Sequence, residues 1–588
     1  MHPIRKERHM KIACIGAGAS GLCFAYKLQR SFEDFSLTLF ERNDTVGGVW
    51  VANRYPGCAC DYDAHNYTFS WDQKADWSSV YAGAEEVQHY FEDFAQKHGL
   101  HDYCRFNTTV KRAQWDDVSG RWGLQLQASG GGVEWAEEFD ILTNASGLLS
   151  SPKWPDIPGL DGFGGLKLHS AAWPSLPVDL GGKRVGLIGN GLDKRWADDA
   201  TLRHAKRSSG QQLLEALQPV AGQLTVFIRQ PTWVLGPFAA PPRSYTAEEL
   251  QDYADHPERL LAKRKQFENR VNSYFGICLK DSPQQAALRD HLTQRIRDQL
   301  AGGGKYAAAD VDKDEAEAAF IPQYAVGCRR PTPGTKYIEA LSADNVTLVV
   351  GPIPHVTPDG IADHRGTSRP LDVLVCATGF DTSHRPSFPI LGRNDKDLRE
   401  LWSQEASAYL ALAVPDFPNY FVFYGPNNPF ASGPFLATVE AQADYMLKWC
   451  DRWQTENMHS FAPKQEAADE FAEYADRLIR KTVWSDSCRS WYKSAPSQPA
   501  KVSLWPGSGL HYLEAISSLR ADDFDVRYKG NRWEWLGNGF SQIETDEECD
   551  LSYYVRQTDD SEFLSSKKRR RALAKGAHVD RKTLHVIG

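Results

Sequence analysis

An α/β chain that uses one strand–turn–helix plan twice is expected from three features of the 588 residues. Two glycine-rich turns, one at Gly16 and one at Gly189, each follow an apolar run of strand length. The next apolar run after each turn ends in a charged residue, Glu41 in the first case and Arg229 in the second. From about 246 to 319 the sequence becomes rich in Glu, Gln, Lys and Arg with helical character, the mark of a helical insertion.

The first unit opens with Lys11-Ile-Ala-Cys-Ile15, turns through Gly16-Ala-Gly18-Ala-Ser-Gly21 and continues as the helical Leu22-Cys-Phe-Ala-Tyr-Lys-Leu28. Glycine at Gly16, Gly18 and Gly21 lets the backbone approach a pyrophosphate, and the helix start offers unpaired N–H groups and a positive dipole end to that anion. The strand Leu37-Thr-Leu-Phe40 then ends at Glu41, whose carboxylate can accept from ribose hydroxyls and would repel a 2′-phosphate. FAD or NAD is expected here rather than NADP.

The second unit repeats the plan with an interruption. Arg184-Val-Gly-Leu-Ile188 leads into Gly189-Asn-Gly191, but no third glycine follows at the required spacing. Residues 192–207 are a charged stretch, after which Ser208-Ser-Gly210 enters the amphipathic Gln211-Gln-Leu-Leu-Glu-Ala-Leu217. With 192–207 removed the chain reads Gly-Asn-Gly-Ser-Ser-Gly, which would set Gly189, Gly191, Ser208 and Ser209 at a pyrophosphate, so the stretch is read as an insertion. It begins and ends at the motif without disturbing either side, as a translated retained intron would; a natural surface loop is the alternative. The strand Leu224-Thr-Val-Phe-Ile228 ends in Arg229, a cation suited to a 2′-phosphate, so NADPH is expected. Both units are therefore Rossmann-like dinucleotide-binding domains.

Composition bounds the remainder. The length exceeds one ordinary core, and about two to four domains are expected. A net charge of -9 argues against a global nucleic-acid-binding role, which needs clustered excess cations. Eleven cysteines, odd in number and without a secreted-scaffold spacing, point to a reducing compartment. Cys58-Ala-Cys60 has no second ligand pair at metal spacing and reads as two loop thiols. No run of about 18 apolar residues supports a membrane span. The basic opening Met1–His9 meets the first strand without the apolar region and cleavage site of a signal peptide, so a soluble, cytoplasmic chain is expected. The run Lys567-Lys-Arg-Arg-Arg571 reads as a solvated basic helix end rather than a nuclear import signal.

Three segments are expected. Residues 1–150 form the first part of the first nucleotide domain, closing with the strand Phe139-Asp-Ile-Leu-Thr143, and the proline-rich Ser151–Pro158 links onward. Residues 151–371 form the second nucleotide domain with its insertion at about 246–319. Residues 372–588 return to the first domain and add a C-terminal extension. The turn after Val373-Leu-Val-Cys376 mirrors the one after Thr143. Phe417 to Asn427 reads as a buried strand ending in a turn, and Phe435 to Trp449 as a helix.

Two spaced patterns lie across these units. Gly48-Val-Trp50 runs on to Tyr55-Pro-Gly57 and Asp61, and Phe163-Gly-Gly165 to His169 and Trp173-Pro174. Both match signatures of Baeyer–Villiger monooxygenases, and from Lys11 to about Tyr512 the chain resembles that family, particularly its fungal members acting on bulky ketones. Trp173 favours the ketone-oxidising branch over flavin N- and S-oxygenases, which usually carry another aromatic there.

The resemblance implies FAD in the first unit, NADPH in the second, O2 and a small-molecule ketone as substrates, and an ester or lactone as product. It implies that Arg330, in Gly327-Cys-Arg-Arg-Pro-Thr-Pro333, is the active-site arginine, and that Asp61 lies against it. A permanently charged, multi-donor guanidinium suits the anionic flavin peroxide and the oxyanion that this chemistry must stabilise. The resemblance also assigns cofactor contacts to Val49, Trp50, Asp61, Tyr67 and Val110, a 2′-phosphate clamp to Arg229 with Arg329, and an active-site loop position to Trp491, for which a core aromatic is the other reading. His169 fits a linker histidine between domains better than an acid–base catalyst. Two other readings stay open: an N- or S-oxygenase, and an inactive cofactor-binding homologue whose nucleotide loop is split by 192–207.

Overall fold

The structure, a computed structural model, describes residues 2–189, 208–229, 231–235, 241–301, 317–318, 320–330, 332–333, 336–488, 490–493 and 501–557. Gly191, the stretch 192–207 and the basic run 567–571 lie outside the described residues.

Met10–Ile15 pairs in parallel with Phe35–Phe40 on one side and Ile141–Asn144 on the other; Cys104–Arg105 and Tyr420–Val422 complete a five-stranded sheet. The period of two decides the faces. Ile12 and Cys14 enter the core beneath the helices Ala19–Ser31 and Phe435–Thr455. Ala13 and Ile15 point the other way, onto a second sheet formed by Thr108–Asp116, Arg121–Ala128, Glu134–Phe139 and Ile390–Leu391. Each fully buried aliphatic side chain contributes ~1.5–3 kcal/mol, so a one-residue slip would forfeit both faces.

The second parallel sheet repeats this arrangement. Arg184–Ile188 lies between Gln223–Ile228 and Val373–Cys376, with Val346–Val350 and Leu166–His169 at the edges. Val185 and Leu187 pack with Leu213 and Leu217 of the helix Ser208–Leu217. Leu374 and Cys376 face Val356 and Ile361 of a small antiparallel sheet, His355–Thr357, Gly360–Ala362 and Ser368–Pro370.

Two expectations change in detail. The run Phe139–Thr143 is not one strand: Phe139 ends one sheet and Ile141 begins another. Asp140 makes the corner, accepting from Lys11 N through its carboxylate at 2.9 Å and donating its own N–H to Lys11 O at 2.7 Å. Val373–Cys376 pairs with Arg184–Ile188, so the second sheet runs past the boundary at 371.

The chain crosses between the two units twice, and the crossings are bonded together. Lys153 N donates to Gly379 O and Asp381 N to Ser151 O, both at 2.9 Å. Buried His169 seals the strap, with Nε2 at 3.0 Å from both Lys153 O and Thr378 Oγ1, while Nδ1 accepts from Ala171 N at 3.0 Å. Burial lowers its pKa. His169 therefore sits at the linker, as the sequence suggests.

The insertion supplies the helices Ala247–Asp255, Pro257–Asn272 and Pro283–Ala301. Thr246 and Glu249 form a capping box on the first, and Pro257 occupies the first turn of the second, where its missing N–H costs nothing. None of the described helices is long and apolar enough to cross a membrane.

Candidate active site

Both glycine turns are held by the same contacts. A Cβ on Gly16 (φ +104°) would come within 2.7 Å of Ala145 O, and one on Gly21 within 2.1 Å of Gly16 O. In the second unit, a Cβ on Gly189 (φ +131°) would meet Ala377 O at 2.4 Å, and one on Gly210 would meet Gly189 O at 1.8 Å. Gly210 thus occupies the place that Gly21 holds in the first turn. The paired glycines are 5 positions apart in one unit and 21 in the other, and the difference, 16, is the length of 192–207. Ser209 lies in the first turn of the helix that follows and lines the central cavity; of Ser208 only the backbone is described.

In the first turn Gly18 faces Gly48: a Cβ on Gly48 (φ +58°) would stand 2.9 Å from Gly18 Cα. The helix Ala19–Ser31 begins at Gly18 with no side-chain cap. A narrow cradle of bare backbone at a helix start fits a pyrophosphate. Glu41, buried at the end of its strand, accepts from Ala17 N at 2.9 Å through Oε2 and from Asn43 N and Nδ2 through Oε1. One lone pair of Oε2 is left for a ribose hydroxyl. Val110 is buried two residues beyond Thr108, whose N–H donates to Glu41 O at 2.9 Å. These residues fit a dinucleotide.

The first signature does two jobs. Val49, Trp50, Tyr67 and Asp61 line a cavity of about 720 Å³, with Trp50 Nε1 donating to Tyr67 OH at 3.2 Å. Tyr55, which also lines the cavity, and Gly57 grip the helix Ser208–Leu217. Tyr55 OH donates to Gln212 Oε1 at 2.7 Å, Gln212 Nε2 donates to Ala59 O at 2.9 Å, and a Cβ on Gly57 would stand 2.9 Å from Gln212 O. Gln212 escapes sequence reasoning because nothing in a helical Gln-Gln pair signals which one faces a distant tyrosine.

Arg229 and Arg329 lie on segments that run together. Val234–Leu235, just after Arg229, pairs with Thr332–Pro333, just after Arg329. Tyr324 OH donates to Pro231 O at 2.8 Å, and the buried Arg329 guanidinium stacks 5.0 Å over the Tyr324 ring.

Arg330 meets Asp61 at the cavity wall, its Nη2 standing 2.8 Å from both carboxylate oxygens. The Arg330 side chain is 31 % accessible, but it opens onto the cavity. Enclosure works against its charge, and the Asp61 carboxylate and Tyr492 outweigh that, so its pKa is raised. The guanidinium also lies 5.9 Å over Phe430.

Trp491 does not reach the cavity surface. It is buried behind Phe430, ring centroids 4.8 Å apart, in a core cluster with Trp484 and Val483, while its neighbour Tyr492 lines the cavity. The core reading of Trp491 is the one the packing supports. Of the remaining wall, Val271, Tyr274, Ile277, Leu288 and Leu292 come from the insertion, which closes the site on a mainly apolar face that also carries His291 and Arg295. The insertion is fastened to the Asp61 loop by Glu268, whose Oε1 accepts from Tyr62 OH at 3.1 Å and Asn66 Nδ2 at 3.0 Å; burial raises the pKa of this carboxyl. Cys58 and Cys60 also line the cavity as free thiols, and among the described residues no cluster of His, Cys, Asp and Glu could hold a metal. The structure joins Cys328 to Cys488 by a disulfide across 160 residues, a pairing that no local spacing could disclose.

Residues 14–84 match the family described as NAD(P)-binding Rossmann-like domain. The chain is similar to the FAD-binding monooxygenase stcW of Emericella nidulans, at 35 % identity over 92 % of this chain and 86 % of that one. It is 30 % identical to a Baeyer-Villiger monooxygenase of Pseudomonas aeruginosa, over 85 % of this chain and 88 % of that one. Among solved structures, cyclohexanone monooxygenase from Rhodococcus sp. Phi1 bound to NADP+ superposes with a TM-score of 0.73 at 25 % identity, covering 89 % of this chain and all of that one.

Proposed function

This chain belongs to the FAD- and NADPH-dependent monooxygenases of Baeyer–Villiger type, and on that premise we propose that its substrate is a bulky, largely apolar ketone of terpenoid, steroid or polyketide class. One oxygen atom of O2 enters beside the carbonyl, giving an ester or lactone. The observation that carries this reading is the Arg330–Asp61 pair on the wall of a 720 Å³ cavity that Val271, Ile277, Leu288 and Leu292 also line.

Bound FAD, reduced by NADPH, supplies the oxygen-activating chemistry. Gly16, Gly18 and Glu41 would hold it by backbone and carboxylate, Gly189 and Gly210 would serve the NADPH pyrophosphate, and Arg229 and Arg329 would supply the cations for the 2′-phosphate. Arg330 presents a fixed positive charge and several N–H donors to oxygen that gains negative charge, including the carbonyl oxygen of a ketone under attack. Asp61 fixes the direction of that guanidinium by holding Nη2. Leu288, Leu292 and Ile277 exclude water and strengthen the electrostatics inside.

The test is substrate-dependent NADPH consumption with a panel of bulky ketones, read with mass detection of a product heavier by one oxygen. A matching thioether is run beside them. Oxygenation of the thioether with no ketone turned over would replace this reading with an S-oxygenase.

A further inference from the structure

Cys328 and Cys488 join two segments that meet at the active site. Cys328 immediately precedes Arg329 and Arg330. Cys488 lies in the irregular stretch that leads to Trp491 and Tyr492, and the two Cα atoms are 6.1 Å apart. Other ties between the segments are non-covalent: Ala325 N donates to Asp486 Oδ2 at 3.0 Å, and Trp491 packs on Phe430, over which Arg330 stacks. Lys493 is buried directly over the sulfurs. Its Nζ is 3.5 Å from Cys328 Sγ and 3.6 Å from Cys488 Sγ, and it donates to the carbonyls of Asp486 and Cys488.

We propose that Cys328 and Cys488 are a reversible thiol–disulfide site that fastens the Trp491–Tyr492 segment to the Arg330 turn, with Lys493 as the residue that activates the reduced thiols. An ammonium at this distance favours thiolate over thiol, and the thiolate is the species that reacts. Burial pulls Lys493 down to about 8, Asp486 opposes that, and Arg329 and Lys280 add to it. At neutral pH the ammonium form therefore still predominates.

The oxidant is hydrogen peroxide, the product of NADPH-driven O2 reduction that fails to oxygenate a substrate. One thiolate attacks a peroxide oxygen, breaking the O–O bond, and gives a sulfenic acid and hydroxide, which is protonated to water. The second thiol attacks the sulfenic sulfur, forms the S–S bond and releases a second water. Two thiols are oxidised to one disulfide as one peroxide is reduced to two waters. A dithiol reverses the step through a mixed disulfide. The chemistry protects itself: peroxide leaking from a loosely held segment closes the clasp that holds it.

The kinetic part of the test rests on the monooxygenase reading; the mapping part does not. Holoenzyme is isolated with and without dithiothreitol, thiols are blocked with iodoacetamide, and peptides are mapped by mass spectrometry. Expected is a Cys328–Cys488 cross-linked peptide that vanishes on reduction and returns with peroxide. Both residues alkylated under both conditions would overturn the site, whatever the enzyme's substrate. Peroxide release per NADPH is then compared between oxidised enzyme, reduced and alkylated wild type, and the double variant C328S/C488S. The reduced forms should leak several-fold more peroxide while NADPH still bleaches the flavin at an unchanged rate. Equal leakage in wild-type oxidised and reduced enzyme overturns the clasp. Lys493→Met should slow disulfide formation by peroxide and move its pH profile upward; an unchanged profile overturns the role of Lys493.

Discussion

Tyr55 reaches across from the first unit and donates to Gln212 Oε1 at 2.7 Å, on the helix that begins at the second glycine turn. The long signature therefore holds the nucleotide helix of the other unit as well as the cavity. Tyr55→Phe removes one hydrogen bond, worth about 1 kcal/mol. The apparent NADPH affinity should fall by roughly fivefold, with the flavin reduction rate at saturation little changed. Stopped-flow reduction at increasing NADPH checks this.

Arg330→Ala should leave reduction of the flavin by NADPH intact and depress ketone oxygenation by about 10²–10³-fold, the cost of removing one preorganised charge-stabilising donor. Normal product yield from this variant would remove Arg330 from the chemistry.

Arg229→Ala should weaken NADPH by about ten- to a hundredfold and NADH far less, since a charge-assisted contact to a 2′-phosphate contributes about 1.5–3 kcal/mol and NADH has no such group. Parallel titrations with both cofactors decide it; equal losses would show that another cation serves the phosphate.

Deleting 192–207 should tighten NADPH binding and speed flavin reduction. Gly189 and Gly210 already hold the contact that Gly16 and Gly21 make without any insertion, so the shortened chain can close the same turn. Loss of activity on deletion would make the stretch part of the working enzyme. Sequencing the mature transcript tests its origin: uninterrupted coding sequence through 192–207 rejects a retained intron.

Stability should decline as pH falls below about 6.5, the unfolded histidine value. Burial holds His65 at about 3, and it lowers His169 too. Between the folded and unfolded values the unfolded chain binds more protons, so each buried neutral histidine removes up to about 1.4 kcal/mol per pH unit on acidification. His65→Gln should flatten the curve of melting temperature against pH between 6 and 4, pH values chosen from that window. An unaltered slope would assign the acid sensitivity elsewhere.

Local pattern carried much of this molecule. Strand, glycine turn and helix are contiguous, so both nucleotide turns are readable, and even the split one is recovered from the spacing around it. Asp61 and Arg330 were reachable only through a resemblance, because 268 intervening residues stand between their positions and no periodicity links them. Separations of 157 and 160 residues likewise hid the Tyr55–Gln212 contact and the Cys328–Cys488 pair. Trp491 stays off the cavity wall for a different reason: it and Tyr492 are the two central residues of a turn in which Lys493 N donates to Ser490 O, and Tyr492 takes the wall while Trp491 packs behind Phe430. The antiparallel sheet under the first unit was missed although Thr108–Asp116 alternates buried and open positions, since Lys111 at a bulge breaks the alternation.

Tyr420–Val422 pairs with Ile141–Asn144, so the sheet begun at Met10 gains its last strand only after the second sheet has received Val373–Cys376. On the ribosome the inner unit can close first, while Ile141–Asn144 waits with one edge unpaired and apolar side chains uncovered. That interval, set by some 280 residues of synthesis, is when this chain is most open to misassociation, and it ends only when the late strand arrives.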